Sequence, residues 1–283
     1  MPDLTPPPRQ DKDFTGHIWQ EWFRQLREEV NKMNNYNLVA IGAGAIAGKQ
    51  PFYVYGKNND VDNVKEVVWP GPAGLGGAYV FPATPIQMQV VSTSAQDGVA
   101  GTGVLIVDIH YLDTNYASQY TRVTLNGVGA VNTTPTNILR VNAFYANSVG
   151  TTGAAVGNIS LQSVGGATTY GYIPAGDNNA PQAVYSVPAG KTAYITWWDV
   201  SAGVDTGNHY TQFSFVCDVT MDGTRNAGVM IEHDMLGCLN GSTHAEASVP
   251  FGIPEKSDIV IKAISDAAAA NCMTTTHFHG WLE

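Results

Sequence analysis

Apolar and polar residues follow two different patterns on either side of residue 50. Between Thr15 and Met33, apolar side chains recur at steps of three and four, which is the spacing of one face of an α-helix. Thr15 can serve as the N-cap, and the pair Asn34-Asn35 is expected to end the helix. The pattern therefore predicts one charged, aromatic helix near the N-terminus.

From Phe52 onward, apolar and polar residues alternate with the period of two that is typical of β-strands. About fourteen short runs of this kind occur with no helical pattern between them. Turn signals separate the runs, the clearest being Asn126-Gly127, Gly165-Gly166, Asp222-Gly223 and Asn240-Gly241. We predict a mainly β fold, with a β-sandwich, jelly-roll-like domain preceded by one N-terminal α-helix. A division of the β region into two sandwiches near residues 200–225 is the alternative.

The same pattern divides the chain into three parts. Residues 1–35 are a Pro-rich tail and the aromatic helix, residues 36–51 a Gly/Ala-rich link, and residues 52–283 the β domain. The apolar face of the helix is expected either to pack on the chain's own β domain or to bind a partner. Because the helix lies beyond a flexible link, we predict partner binding through Trp19, Trp22, Phe23, Leu26 and Val30.

The link contains a glycine pattern that imitates a dinucleotide-binding turn. Gly42, Gly44 and Ala47 follow an apolar run, as in the phosphate-binding turn of a βαβ unit. Pro51 interrupts the helix that should follow, and no alternation of strands and helices comes after it. We therefore predict no nucleotide site and interpret the link as a hinge.

Charge is sparse in the β region. Charged residues make up 13% of the chain, about half the usual share. The formal net charge is −10, and eight of the 14 Lys and Arg residues precede residue 67. Binding of nucleic acid needs clustered basic residues, so we predict no nucleic-acid partner. Such a surface, poor in charged residues, is typical of long-lived extracellular or virion β-proteins.

Other features of the sequence indicate its location. There is no run of about 20 apolar residues, so we predict no membrane partner. The first residues lack the basic segment and apolar core of a signal peptide, and we expect synthesis in a cytoplasm. Cys217, Cys238 and Cys272 are odd in number and widely spaced, which indicates buried apolar side chains rather than a disulfide framework.

The best candidate for catalytic chemistry is a histidine pair. His277 and His279 lie on one face of a predicted strand, with Glu283 four residues further on, which resembles the metal-binding core of cupins. Asn271 replaces the leading glycine of that motif, and no second motif follows Glu283. The Gly-x-Ser-x-Gly motif of hydrolases does not occur. We predict that the chain is not an enzyme and has no metal and no cofactor.

A second candidate is a calcium loop. Asn58, Asp60 and Asp62 have the spacing of the first ligands of such a loop. Asn63 and Trp69 occupy the positions where the loop needs glycine and an acidic residue. The pattern favours an Asx-rich turn.

Exposed aromatic side chains could bind a glycan. Trp197 and Trp198 are neighbours in a predicted strand and point to opposite faces, so at least one of them belongs to the core. Tyr111, Tyr116 and Tyr120 flank a loop and are better placed for stacking on a sugar.

Several segments together resemble virion proteins of tailed bacteriophages. The helix from Trp19 to Leu26 is similar to the aromatic helix that opens many tail and fibre proteins. Similar segments in the β region are Tyr55–Asp60, Val91–Asp97, Val123–Gly127, Arg140–Asn142 and Val187–Tyr194. The resemblance covers roughly residues 15–195 and rests on the order of these segments. It implies a structural component of the neck, collar or tail-fibre region, with no catalytic residues.

We therefore predict a structural component of a bacteriophage virion, a neck, collar or tail-fibre/adaptor protein that attaches through its N-terminal helix. The expected partners are copies of itself, as in a trimer, and other virion proteins such as portal, tail or capsid proteins. The alternatives are a capsid decoration protein, a receptor module that binds a host surface glycan, and a cupin-like metalloenzyme. The expected location is the virion, after assembly in the host cytoplasm.

Overall fold

The computed structural model describes residues 17–72, 74–204, 207–220, 222–225, 228–266 and 272–283. Of residues 17–19, 29–38, 248 and 249 it describes the backbone alone. The described residues up to Pro51 and those from Phe52 onward form separate compact units. Within the described residues, no helix is both long and apolar enough to cross a membrane. The predicted mainly β fold with an N-terminal helix is confirmed.

The helix α1 (His17–Gly42) is longer than the sequence pattern predicts. The predicted stop at Asn34-Asn35 is wrong, and the helix continues through the first part of the predicted link. Asparagine costs only about 0.7 kcal/mol relative to alanine in a helix, which is too little to end one. The hinge interpretation of this part of the link is therefore wrong as well.

A glycine cap ends the helix. Gly44 has a φ of +69°, and its N–H donates to the carbonyl of Ile41 at 2.9 Å. The N–H of Ala45 donates to the carbonyl of Ala40 at 2.8 Å. These two bonds and the left-handed residue make up the Schellman motif, in which glycine is favoured because it adopts positive φ without strain. The glycine pattern that imitates a nucleotide turn is thus a helix cap.

Sixteen strands follow in the described part of the chain. They are β1 (Gln50–Val61), β2 (Glu66–Val67), β3 (Met88–Ser92), β4 (Val104–Leu112), β5 (Ser118–Thr124), β6 (Val131–Asn132), β7 (Arg140–Val149), β8 (Ile159–Ser163), β9 (Thr169–Ile173), β10 (Val184–Ser186), β11 (Ala193–Gly203), β12 (Tyr210–Cys217), β13 (Ile231–Leu239), β14 (Gly241–Ile253), β15 (Asp258–Ser265) and β16 (Cys272–Leu282).

Eight of these strands form a jelly roll. One sheet has the order β1-β16-β11-β14 and the other the order β10-β15-β12-β13. Consecutive strands cross from sheet to sheet, except that β12 and β13 are neighbours in one sheet, which is the double Greek-key arrangement of jelly rolls. The core between the sheets takes side chains from both and includes Ile195, Trp198, Phe213, Phe215 and Phe278.

Besides β2, which also pairs with β15, the other seven strands form a second β-sandwich, which we call the inserted sandwich. It comprises β3 to β9, in two sheets with the orders β6-β3-β8-β9 and β5-β4-β7. Its separate core includes Met88, Ile109, Phe144, Ile159 and Leu161.

The inserted sandwich divides one strand of the jelly roll into two pieces, β2 and β10. Both β2 and β10 pair antiparallel with β15, one after the other. At the junction, the N–H of Ala183 donates to the carbonyl of Val68 at 3.0 Å, and both residues hydrogen-bond to the backbone of Ile261. The β region thus contains two sandwiches, but the alternative boundary near residues 200–225 is wrong. Turn signals in the sequence are local, so they cannot show that β2 and β10, which are far apart in the chain, continue each other along β15.

Aromatic side chains fill the space between the jelly roll and the insertion. Trp69 and Tyr79 make an edge contact with ring centroids 5.1 Å apart, next to Val184 and Val260 on the outer face of the jelly roll. The hydroxyl of Tyr79 donates to the carbonyl of Tyr170 in the inserted sandwich at 3.1 Å. Burial raises the pKa of Tyr79 well above its usual value, as expected for a phenol that is held neutral at this boundary.

Candidate functional site

All five residues that were predicted to bind a partner lie in α1. Phe23 is 47% exposed, while Trp22 and Leu26 are half-buried. The rings of Trp22 and Phe23 make an edge contact at 5.2 Å. The side chains of Trp19 and Val30 lie outside the described residues, and partner binding by this face stays a prediction.

The opposite side of the helix is charged. Arg24 donates from Nε to Glu21 at 2.9 Å and also pairs with Glu28. Gln25 donates to Glu21 at 3.0 Å. These i,i+3 and i,i+4 contacts are exposed, and each contributes only tenths of a kcal/mol to helix stability. The helix is therefore amphipathic within the residues whose side chains are described.

A row of rings crosses the outer face of the sheet β1-β16-β11-β14. Tyr53 stacks on His277 with ring centroids 5.3 Å apart, and Trp197 stacks on His244 at 4.4 Å. His279 lies 5.9 Å from His277 and 6.3 Å from Trp197. Antiparallel pairing places these residues side by side on one face. We call the five residues the ring row.

The histidines of the ring row differ in their surroundings. His277 contacts the carboxylate of Asp199 through Nδ1. Burial lowers the pKa of His279, the charge of a protonated His277 lowers it further, and Asp199 opposes both effects. The strand therefore holds one imidazole next to a carboxylate and a second one that resists protonation.

Glu283 does not join the histidine pair in the cupin-like arrangement that the motif resembles. The backbone of Glu283 exchanges hydrogen bonds with Thr192 at 2.8 and 3.0 Å. Within the part of the chain that the structure describes, no group of three or more His, Cys, Asp or Glu side chains could hold a metal ion.

The segment that resembles a calcium loop is part of a strand and of an Asx turn, as the sequence favours. Asn58 is fully buried in β1, where its side-chain amide donates to the carbonyl of Val67 at 3.2 Å. Asp62 accepts a hydrogen bond from the N–H of Val64 at 2.7 Å, which is an Asx turn. The side chains of Asn58 and Asp62 are therefore used in separate contacts with the backbone.

The three tyrosines that the glycan-binding alternative rests on do not form one surface. Tyr111 is buried, and Tyr120 is exposed. Tyr116 has a φ of +59°, and its ring lies 5.5 Å from the guanidinium of Arg140. They lack the common face that a glycan site would need, because β4 and β5 turn alternate side chains to opposite faces.

Tyr120 belongs to a different surface, on the outer face of the sheet β5-β4-β7. His110 lies 6.1 Å from Tyr120 and 5.5 Å from Tyr145, between ring centroids. The hydroxyl of Tyr145 and Nε2 of His110 are 2.7 Å apart. On the same face, Arg122 donates to both carboxylate oxygens of Asp108 at 2.7 and 3.0 Å. The sequence reasoning missed this surface because only the strand register brings its residues together.

The tryptophan pair and the cysteines are placed as predicted. Trp198 is 3% exposed and belongs to the jelly-roll core, where Nε1 donates to Thr276 Oγ1 at 3.0 Å. Trp197 faces outward into the ring row. The three cysteines are free and buried.

Comparisons with known proteins identify no family for this chain. No protein-family model matches it, and no curated protein sequence matches it. Among solved structures, the chain aligns with a crystal structure of the T13 particle of infectious bursal disease virus at 11% identity, over 83% of this chain and 73% of that chain, with a TM-score of 0.19. A structure of the Gx strain of the same virus aligns at 14% identity, over 82% and 70% of the two chains, with a TM-score of 0.21. Scores this low carry no argument about fold or function.

Proposed function

We propose that this chain is a structural subunit of a virus particle that assembles with copies of itself. At the finer level of the sequence resemblance, we assign it to the neck, collar or tail fibre of a bacteriophage. The observation that carries the proposal is the architecture, in which a jelly roll has a second β-sandwich inserted into one strand position. The proposal makes the chain a non-enzymatic protein.

The architecture suits assembly because it separates two tasks. Jelly rolls occur in viral capsid proteins as well as in lectins and cupins, so the fold alone does not decide the function. Here the insertion leaves from one strand position, so the opposite sheet β1-β16-β11-β14 and both sheet ends are available to neighbours. In this proposal, the jelly roll packs with other subunits and the inserted sandwich is presented to the exterior.

Low charge supports the same function. A subunit that repeats many times in a closed assembly must avoid strong repulsion between identical surfaces. With only 13% charged residues, this chain brings few like charges to each contact. Depletion of charge is also typical of the central part of protein interfaces.

The helix α1 supplies the attachment in this proposal. Phe23 is about half exposed on a helix whose other side is charged. An aromatic side chain on an amphipathic helix is a typical anchor for a hydrophobic groove. The partner groove belongs either to another copy of the chain or to a different virion protein.

The assembly proposal is tested with the full chain and two variants. Trp22→Ser/Phe23→Ser removes the aromatic anchor, and Gln25→Ser changes an exposed polar residue of the same helix. Light scattering after size exclusion is expected to show a homo-oligomer for the full chain and for Gln25→Ser, and at least about tenfold weaker association for the double variant. A full chain that stays monomeric, or a double variant that assembles normally, would contradict the proposal. Flanking genes that encode portal and tail proteins are expected if the bacteriophage assignment is right.

A receptor module that binds a glycan is the second candidate, and one observation favours it. Tyr120, His110 and Tyr145 form an exterior aromatic surface on the inserted sandwich beside the Arg122–Asp108 pair. Sugars combine stacking on aromatic faces with hydrogen bonds to such polar groups. A glycan array probed with the wild-type chain and with Tyr120→Ala tests it, and binding that Tyr120→Ala leaves unchanged would exclude this surface.

A further inference from the structure

The strand β14 presents an unpaired edge along one side of the jelly roll. It ends the sheet β1-β16-β11-β14, and no strand among the described residues pairs with its outer edge. Its pairing with β11 is regular from Ala202↔Gly241 to Trp197↔Glu246. Alternate residues of such an edge point their N–H and C=O groups away from the sheet, where a further strand can bind them.

Two other edge strands of the jelly roll carry protection that this part of β14 lacks. The strand β1 is partly covered, because the N–H of Lys57 donates to the carbonyl of Pro181 at 3.0 Å. In β13, the side chain of Asp234 accepts the N–H of Met235 at 2.8 Å, and the pairing with β12 shifts. Residues 241–247 contain no proline, lysine or arginine. Since proteins use such devices to prevent edge pairing, this segment of β14 is the edge best suited to accept another strand.

The register with β11 fixes the direction in which the side chains of β14 point. Trp198 is 3% exposed in the core, so its partner Ala245 faces inward. His244 and Glu246 therefore face outward, and both are exposed. The ring of His244 stacks on Trp197 with centroids 4.4 Å apart. The outer face of the edge thus carries an imidazole and a carboxylate two residues apart.

We propose that two copies of the chain pair through β14 in antiparallel orientation, with Ala245 of each copy on the two-fold axis. Such a pair joins the two sheets into one continuous sheet. The two cores stay on the same side of that sheet only if inward-facing residues lie opposite inward-facing residues. The axis must therefore pass through a residue position and not between two residues.

The side chains select Ala245 among these positions. An axis there places His244 of each copy opposite Glu246 of the other copy, so that an imidazole faces a carboxylate twice. An axis at Glu246 opposes two carboxylates, and an axis at His244 opposes two imidazoles. This pairing rests on the proposed assembly with copies of the chain and gives that assembly a contact besides α1.

Sedimentation velocity measures the β14 contact in a chain from which the α1 contact has been removed. The full chain with Trp22→Ser/Phe23→Ser, here called the helix variant, is expected to show a monomer–dimer equilibrium below millimolar concentration. Adding His244→Glu opposes carboxylates twice and should raise the Kd of the dimer at least about tenfold. The control Gln119→Glu adds the same charge at an exposed position of β5 and should leave the Kd unchanged.

A swapped variant distinguishes specific pairing from a general effect of charge. In the helix variant, His244→Glu/Glu246→His again places an imidazole opposite each carboxylate. The Kd should return to within about threefold of that of the helix variant. Circular dichroism checks that all variants are folded.

A cysteine at the axis tests the register directly. Ala245→Cys brings two thiols to opposite positions, where Cβ atoms are about 5 Å apart, close to the separation that a disulfide needs. Mild oxidation should therefore link two copies of this variant. Ala247→Cys lies opposite Thr243 of the other copy and should give no linked dimer. The three native cysteines are buried and do not compete.

Any of four results would overturn the proposal. These are a helix variant that stays monomeric at millimolar concentration, equal effects of His244→Glu and Gln119→Glu, a swapped variant that associates no better than His244→Glu, and no excess of linked dimer for Ala245→Cys over Ala247→Cys. An unmodified chain that associates while the helix variant is monomeric overturns the β14 contact alone and leaves the assembly proposal standing.

Discussion

Arg140 and Asp258 are 118 residues apart in the sequence and form a two-pronged ion pair, with Nε–Oδ1 and Nη2–Oδ2 distances of 2.8 and 2.9 Å. The pair connects β7 of the inserted sandwich to β15 of the jelly roll, and we call it the joint. Arg140 also donates to the carbonyls of Pro82 and Leu139 at 3.0 and 2.9 Å. Its guanidinium lies 4.8 Å from the ring of Phe81. The pair is thus a buried polar contact between the two sandwiches in which both charged groups are hydrogen-bonded.

Removing the joint should destabilise the protein strongly. Arg140→Ala is expected to lower the free energy of unfolding by about 3–5 kcal/mol, because Asp258 stays buried without its cation. Urea unfolding followed by tryptophan fluorescence measures the loss. Lys65→Ala is the control, since Lys65 pairs with Glu232 within the jelly roll and the two side chains are 33% and 45% exposed. The control should cost about 0–1 kcal/mol, and equal losses would contradict the role of Arg140.

A second prediction concerns Gly56, which lies against the junction of the interrupted strand. A Cβ at this position would be 2.5 Å from both the carbonyl oxygen of Val68 and the Cβ of Ala183. Gly56→Ala should therefore lower the free energy of unfolding by about 1–3 kcal/mol through overpacking. Gly203→Ala is the control, because a Cβ at Gly203 meets nothing within 4 Å. Thermal and urea unfolding compare the two, and a stable Gly56→Ala variant would show that the junction is loosely packed.

A third prediction concerns pH and follows from His279. Its folded-state pKa is lowered by burial and by His277, so the unfolded chain binds a proton more readily. The stability that this residue contributes is complete above the ordinary histidine pKa of about 6.5 and is lost as the pH falls through the lower folded-state value. We expect Tm to decline less steeply between pH 7 and pH 5 in His279→Gln than in the wild type. His209→Gln lies outside the ring row and serves as the control; a slope that changes equally in both variants would argue against His279.

The fourth prediction concerns the cysteines. Burial raises the pKa of Cys217 to about 12, and Cys238 and Cys272 are buried as well. Because the thiolate is the reactive form, the native protein should not react with a thiol-specific disulfide reagent within minutes. The same reagent should titrate three thiols in urea. Rapid reaction of the native chain would mean that the core opens on that timescale.

The sequence pattern predicts well which segments are strands and turns, but it does not predict which strands are neighbours in a sheet. Alternation of apolar residues identifies the strands, and turn signals such as Asp222-Gly223 coincide with positive φ, here +80° at Gly223. Nothing local indicates that Val68 and Ala183 meet, because their adjacency depends on the shared partner β15. The end of α1 was missed because Gly44 was considered as part of a nucleotide turn and not as a cap.

The candidate surfaces show the same limit. The spacing of His277 and His279 predicts that both lie on one face, which the register of β16 confirms. Their neighbours Tyr53 and Trp197 come from strands that are far away in the sequence, so the ring row requires the sheet order.

The place of the insertion within one strand has a consequence for the evolution of the protein. Val68 and Ala183 are directly hydrogen-bonded, so the chain leaves the jelly roll and returns to it at one point. A module with adjacent ends can be lost, enlarged or exchanged without lengthening any other connection. Its host can then keep the same contacts with neighbouring subunits while the exchanged part diversifies. Related chains are therefore expected to conserve the jelly roll and to differ most between residues 69 and 182, and a short turn engineered in place of that segment should leave the eight-stranded roll able to close.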